Sequence, residues 1–181
     1  AVSPTYPASQ LEVARAIALK YGFNFKVIYT NEFANEEFVA NHPERCYYCK
    51  RELFAELKRI ADKLGYVVCD GANADDYFDY RPGHRAALEM GVHSPLLEVG
   101  LSKAEIRSLS KELKLPTWNK PAYACLASRI PYDVKITPDK LSRIERGEAF
   151  LASLGLKTFR LRDHDPIARL EVAKEELDQA W

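Results

Sequence analysis

Apolar residues recur at helical spacing at Leu11, Val13, Ala14, Ala16, Ile17, Ala18 and Tyr21. This predicts an amphipathic helix over residues 9–22 that Gly22 can end. The next stretch, FNFKVIYT (23–30), alternates and is rich in β-branched and aromatic residues, which predicts a strand. Residues 31–43 are polar and irregular. The helical period returns over 44–64, with Leu53, Phe54, Leu57, Ile60, Ala61 and Leu64 on one face. YVVCD (66–70) is a continuous apolar run suited to a strand buried on both faces, and Cys69 within it reads as core packing. GANADD then leaves that strand as a loop.

Further along, HSPLLEVGLSKAEI predicts a short strand at 95–99 and a helix to about 113, opened by a capping box from Ser102 to Glu105. Residues 116–136 are proline-rich and without period. Thr137-Pro138 is an N-cap followed by proline at the first helical position, and it predicts a helix to about 154. KTFRLRDH and ARLEV read as two more strands, with a helix starting near Ala173. Strand–helix alternation over residues 1–115 argues for an α/β fold with a Rossmann-like parallel sheet. Residues 116–181 form a cysteine-bearing loop and a small C-terminal α/β subdomain. Ligands of parallel sheets bind beyond the carboxyl ends of strands, so the polar end of CDGANADD is well placed for a site.

Composition narrows the class only a little. Hydrophobic residues make up 47% and charged residues 29%, with 26 basic and 26 acidic side chains, so net charge is zero. That balance gives no sign of a nucleic-acid or membrane partner. No apolar run approaches the length of a membrane span. Four cysteines in 181 residues are not a disulfide scaffold and point to a reducing, cytoplasmic setting, where a CxxC is more often metal-binding or catalytic. The first residues, AVSPTYPAS, and the last, EELDQAW, read as cut from a longer protein.

Three groups of residues could carry chemistry. Cys46 and Cys49 form a CxxC at the start of a helix, and Cys125 lies in the irregular stretch PAYACLASRIPY. Three thiolates suit a [4Fe–4S] cluster with one iron left open. Structural zinc would need His42 or His164 as a fourth ligand. A dithiol switch, or no role, are the other readings, and spacing does not choose among them. Asp70, Asp75, Asp76 and Asp79 at a strand's end suit Mg²⁺ with nucleotide phosphates, or equally a solvated turn. Arg160 and Arg162 alternate on one strand face and Arg129 follows Cys125 closely; such arginines clamp phosphate or carboxylate, or simply face solvent. Tyr47, Tyr48 and Tyr123 flank the cysteines.

AVSPTYPASQLEVA, RCYYCKRELF, DGANADDYFDYRPG, SPLLEVGLSKAEIR, LPTWNKPAYACLASRIPY and ITPDKLSRIERGEAFL, in that order, resemble the LarE family. These are ATP-dependent sulfur transferases of the PP-loop (N-type ATP pyrophosphatase) superfamily that act in nickel-pincer nucleotide synthesis. The resemblance implies that a carboxylate of a pyridinium carboxylate mononucleotide is adenylylated with Mg²⁺ and ATP and then converted to a thiocarboxylate. The family's SGGxDS phosphate loop is absent from this chain. One kind of LarE sacrifices the sulfur of the ACLASR cysteine. The kind with the additional CxxC implies a [4Fe–4S] cluster on Cys46, Cys49 and Cys125 that takes up sulfide. By position, Asp76 matches an acidic residue of the metal and substrate site, Glu148 an acidic active-site residue, and Arg160 and Arg162 a phosphate-binding pair. The resemblance also implies a homo-oligomer, of which a hexamer is one form. The competing readings are a zinc-binding, nucleotide-sensing α/β module and a tRNA thiolase of the same superfamily.

Overall fold

The structure is a computed structural model that describes residues 1–121 and 123–180, with the backbone alone at Phe78. The chain divides into two units. One comprises Ala1–His42 and Tyr123–Trp181, the other Pro43–Ala122. The chain crosses between the units after His42 and again after Ala122, the second crossing a little beyond residue 115, and the first 42 residues group with the C-terminal part.

In the first unit, helix α1 (Ala8–Tyr21) has no side-chain cap. Its first N–H donates instead to Glu145 of the later helix α7 (Pro138–Ser153), at 3.0 Å. Gly22 ends α1 with φ of 68°, a left-handed conformation that glycine adopts without cost. The sequence 23–30 forms no regular strand. It makes one parallel bridge, Val2 to Tyr29, with Val2 N–H donating to Ile28 O at 2.8 Å and Thr30 N–H to Val2 O at 3.1 Å. After the single turn α2 (Glu36–Val39), Asn41 is fully buried, and its amide donates to the carbonyls of Pro131 and Val134 at 2.7 and 2.9 Å.

Helix α7 begins as the sequence predicts: the Thr137 hydroxyl accepts from Lys140 N–H, and Pro138 holds the first position. It buries Leu141 and Ile144 and packs on a two-stranded antiparallel sheet, β1 (Phe159–His164) and β2 (Ile167–Val172). A Cβ on Gly147 would collide with Leu161 Cδ2, so the missing side chain is what admits β1 this close. The register pairs Arg160 with Glu171 and Arg162 with Arg169. These four therefore share one face, and Leu161 and Asp163 occupy the other.

The second unit is built on α3 (Arg45–Leu64), closed by Gly65 at φ of 67°, and α4 (Pro82–Glu89). Phe54, Ala86, Ala87 and Val92 form its core, with Tyr47, Leu57, Val68 and Met90 against them. The run 66–70, predicted to be a strand buried on both faces, is reduced to one parallel bridge from Cys69 to His93. Val67 is 73% exposed and Cys69 is exposed, which corrects the core-packing expectation for this cysteine. The reason is physical: across from this run the backbone pairs with His93 alone among the described residues, through Asp70 N–H on its carbonyl and its N–H on the Val68 carbonyl, so the side chains of Val67 and Cys69 have no neighbouring strand to cover them.

Residues 95–98 are also not a strand. They form a helical turn, α5 (Pro95–Glu98), because proline suits the first helical position and Glu98 returns its carboxylate to Ser94 N–H at 3.0 Å. Helix α6 (Lys103–Glu112) carries the predicted capping box, with Glu105 N–H on the Ser102 hydroxyl and Ser102 N–H on the Glu105 carboxylate. The last turn is α8 (Leu177–Ala180). The architecture is thus mixed α/β with a small antiparallel sheet, and parallel pairing is limited to the two bridges among the described residues. Among the described residues no helix is long and apolar enough to cross a membrane.

Candidate functional site

Cys125 is the N-terminal cap residue of a short 3-10 turn, Leu126–Arg129, and its loop is held from inside the first unit. The side chain of Arg129 is 2% exposed and that of Glu148 7% exposed, and they pair through two contacts, Nε to Oε1 at 2.8 Å and Nη2 to Oε2 at 3.2 Å. The other guanidinium nitrogen donates to the carbonyls of Ala124 (2.8 Å) and Cys125 (3.3 Å) and to the Ser128 hydroxyl (2.9 Å). Ser128 in turn donates to the Cys125 carbonyl at 2.7 Å, and Leu126 N–H to the Thr5 carbonyl at 2.8 Å. Glu148 also accepts from the Tyr123 hydroxyl (2.9 Å) and from Leu161 N–H (3.1 Å).

Every donor and acceptor here is matched, which is what makes a buried ion pair tolerable. Arg129 and Glu148, expected at an anion site and as an active-site acid, are therefore the frame of the Cys125 loop. Burial, then the hydrogen bond to Glu148, pushes the Tyr123 phenol well above its ordinary range.

The strand face carries the cations. Arg162 donates to Glu171 Oε1 at 2.7 Å and to the Ser128 carbonyl at 3.2 Å, which ties β1 to the Cys125 loop. Arg169 donates to the same Glu171 oxygen at 2.6 Å. Arg162, aided by Arg169, holds the Glu171 carboxyl down at about 2. Arg160 is exposed and makes no hydrogen bond or ion pair among the described residues. The face thus presents three guanidiniums against one carboxylate. Behind it, burial pushes the Asp163 carboxyl up, and Arg143 at 2.6 Å together with the Asp165 N–H outweighs that and holds it low.

In the second unit, Cys46 and Cys49 lie three residues apart on the first turns of α3, so their side chains share a face. Glu44, just before the helix, accepts from the Tyr80 hydroxyl and from Arg85, each at 2.6 Å. Tyr47, between the cysteines, donates to Glu89 at 2.6 Å, with the Arg85 guanidinium 4.1 Å from its ring centre. A Cβ on Gly83 would come within 2.8 Å of Lys50 Cγ and 3.4 Å of the Cys46 carbonyl, so α4 lies directly against the CxxC turn. None of the four cysteines is in a disulfide. The donor set on each unit is therefore of the kind that iron–sulfur and zinc sites use, two thiols on α3 and one on the Cys125 loop.

The acidic loop is organised by its own backbone. Asp76 accepts from Asn73 N–H and amide at 3.1 and 2.9 Å through one oxygen, and pairs with Arg81 at 2.8 Å through the other. Asp75 accepts from Lys103 N–H, and Asp70 from Ala72 N–H and the Ser94 hydroxyl. Among the described residues no three His, Cys, Asp or Glu side chains are grouped to hold a metal ion within either unit. Asp76 closes the capping box of the turn that Asn73 opens. His42 donates or accepts through Nδ1 with Asp133 at 2.6 Å.

No family model matches the chain. Relatives do. An uncharacterized protein of Synechocystis is 46% identical over 180 residues, 99% of this chain and 67% of that protein. The pyridinium-3,5-bisthiocarboxylic acid mononucleotide synthase of Lactiplantibacillus plantarum is 34% identical over 171 residues, 94% of this chain and 62% of the synthase. An uncharacterized protein of Methanocaldococcus jannaschii is 36% identical over 156 residues, 86% of this chain and 59% of that protein. The chain belongs to the LarE family. It spans between 59% and 67% of the length of these relatives.

Within this LarE chain, sequence reasoning picked out Cys46, Cys49, Cys125, Arg160 and Arg162 but not Arg169, Glu171 or Tyr6. Arg169 and Glu171 carried a signal: counting back from the Asp165–Pro166 turn sets the register that places both opposite the arginine pair. Tyr6 carried none, because its neighbour Tyr123 is 117 positions away, with the two ring centroids 6.1 Å apart.

Proposed function

We propose that this chain belongs to an ATP-dependent sulfur transferase that adenylylates a carboxylate of a pyridinium carboxylate mononucleotide and replaces one of its oxygens with sulfur. The observation that carries the reading is the tie between thiol and cations. The Cys125 loop is locked by the buried Arg129–Glu148 pair, and Arg162 of the cationic strand face donates to the carbonyl of Ser128 in that same loop. Support also comes from the name of the Lactiplantibacillus relative, a synthase of a pyridinium bisthiocarboxylic acid mononucleotide.

The division of labour follows. Arg160 and Arg162 take the 5′-phosphate through charge-assisted hydrogen bonds, with Arg169 adding positive charge to the same face. The carboxylate attacks the α-phosphorus of ATP, releasing pyrophosphate and leaving an acyl-adenylate. Attack by sulfide at the acyl carbon then expels AMP and leaves the thiocarboxylate. Arg129 and Glu148 act as positioning residues that fix the Cys125 backbone. Cys46, Cys49 and Cys125 are the residues that would hold a [4Fe–4S] cluster, whose chemistry would be to supply the sulfide. Cys125 as an iron ligand is then not the sulfur donor, because losing its sulfur would remove the ligand.

The test uses the whole protein, purified without oxygen and given Mg²⁺, ATP, sulfide and nicotinic acid mononucleotide or its 3,5-dicarboxylate. Expected are pyrophosphate release that depends on the carboxylate and a product with one oxygen replaced by sulfur. Absence of carboxylate-dependent pyrophosphate release overturns the reading.

A further inference from the structure

The unit that carries Cys125 also carries an aromatic pair that no role above uses. Tyr6 meets Tyr123 edge to face, with ring centroids 6.1 Å apart and an interplanar angle of 75°. The backbone beside Tyr6 is fastened to the cysteine loop, since the Thr5 carbonyl accepts from Leu126 N–H at 2.8 Å. The two rings differ in what they already hold. Tyr123 has the Arg129 guanidinium 5.0 Å from its ring centre and gives its hydroxyl to Glu148, so it is already engaged with a cation. Tyr6 is 43% exposed, its hydroxyl makes no hydrogen bond among the described residues, and it also lines a groove with Leu11, Ala14, Phe25 and Val27.

We propose that the ring of Tyr6 is a specificity-determining contact that binds the N-alkylated pyridinium of the substrate by a cation–π interaction beside the Cys125 loop. This rests on the reading above that the substrate is a pyridinium mononucleotide. An electron-rich ring attracts a delocalised cation over its face, and a pyridinium keeps its charge at every pH. The adjacent Arg129 charge is answered at 2.8 Å by Glu148, so it does not repel a second cation at full strength. With the phosphate on Arg160 and Arg162, the cationic ring and the anionic tail of one ligand would meet groups of matching character within a single unit.

The experiment is equilibrium binding of two probes to the whole protein. One is nicotinic acid mononucleotide. The other is its neutral isostere, with a benzene ring in place of the pyridinium. Tyr6→Phe should bind the pyridinium within about twofold of the parent, and Tyr6→Leu about fivefold more weakly, the factor expected of a partly exposed cation–π contact. The neutral isostere should bind both variants alike. A pentafluorophenyl ring at position 6, which keeps the shape and inverts the ring's electrostatics, should weaken only the pyridinium, so the claim does not depend on how Tyr6→Leu packs. Equal binding of the pyridinium by the parent, Tyr6→Leu and the fluorinated protein overturns the proposal, as does an equal loss for both probes. If the parent protein binds neither probe, the functional reading itself fails, and the inference with it.

Discussion

Replacing Arg129 by alanine is the sharpest perturbation of the Cys125 frame. The change removes the guanidinium contacts to Glu148 at 2.8 and 3.2 Å and leaves the Ala124 carbonyl without its 2.8 Å donor. Glu148, whose side chain is 7% exposed, keeps the Tyr123 hydroxyl and the Leu161 N–H as donors among the described residues and becomes a buried charge without its counterion. Breaking a buried pair from one side costs about 3–5 kcal/mol, a large share of the roughly 5–15 kcal/mol that holds a domain together. In urea unfolding the midpoint should fall by about 2 M with an unchanged slope, taking an m-value of about 2 kcal/mol/M. Adding Glu148→Gln should recover part of the loss, because the neutral amide needs no counterion, and the coupling between the two changes should be about 2 kcal/mol. Alkylation of Cys125 should become faster as its loop loosens. A cost below about 1 kcal/mol for Arg129→Ala, or full additivity with Glu148→Gln, would refute the argument.

Three further outcomes follow from single contacts. Glu171 is held down at about 2 from an ordinary 4.5, so its pairing stabilises the fold fully above pH 4.5 and that stability is lost as pH falls towards 2. The shift amounts to about 3 kcal/mol unscreened, and with 36% of the side chain exposed about 1 kcal/mol is expected, measured as the part of the acid-unfolding slope that Glu171→Gln removes. Asn41→Ala strips the donor from the Pro131 and Val134 carbonyls at a fully buried position with φ of 63°, and should lower the unfolding free energy by about 3 kcal/mol; a loss under 1 kcal/mol would mean those carbonyls find water. Arg160→Ala should leave stability within about 0.5 kcal/mol while weakening phosphate-ester binding about tenfold, and unchanged affinity would remove Arg160 from the anion face.

The helices were legible because their punctuation is local. Gly22, the Ser102–Glu105 box and Thr137-Pro138 each act within four residues, and each sits where the sequence puts it. Strands were less so. Alternation over 23–30 and 66–70 tells which side chains share a face but not whether a neighbouring strand covers them, and each run makes a single bridge. At 95–98 the apolar residues suited a strand, yet proline after Ser94 decided for a helical turn. The same limit holds at the site. CxxC and the alternating arginines are local patterns and could be read. The pairing of Arg129 with Glu148 spans 19 residues, and the contact of Tyr6 with Tyr123 spans most of the chain, so neither leaves a mark in spacing.

The proposed sulfide-supplying iron–sulfur cluster on Cys46, Cys49 and Cys125 is decided by metal analysis. Iron, acid-labile sulfide and zinc are measured on the whole protein after anaerobic reconstitution, for the parent and for each cysteine changed to alanine. About four irons and four sulfides per chain are expected. These should be lost in Cys46→Ala, Cys49→Ala and Cys125→Ala and kept in Cys69→Ala, whose thiol is exposed beside His93. One zinc per chain without labile sulfide, or loss of iron in Cys69→Ala, would rule the proposed cluster out.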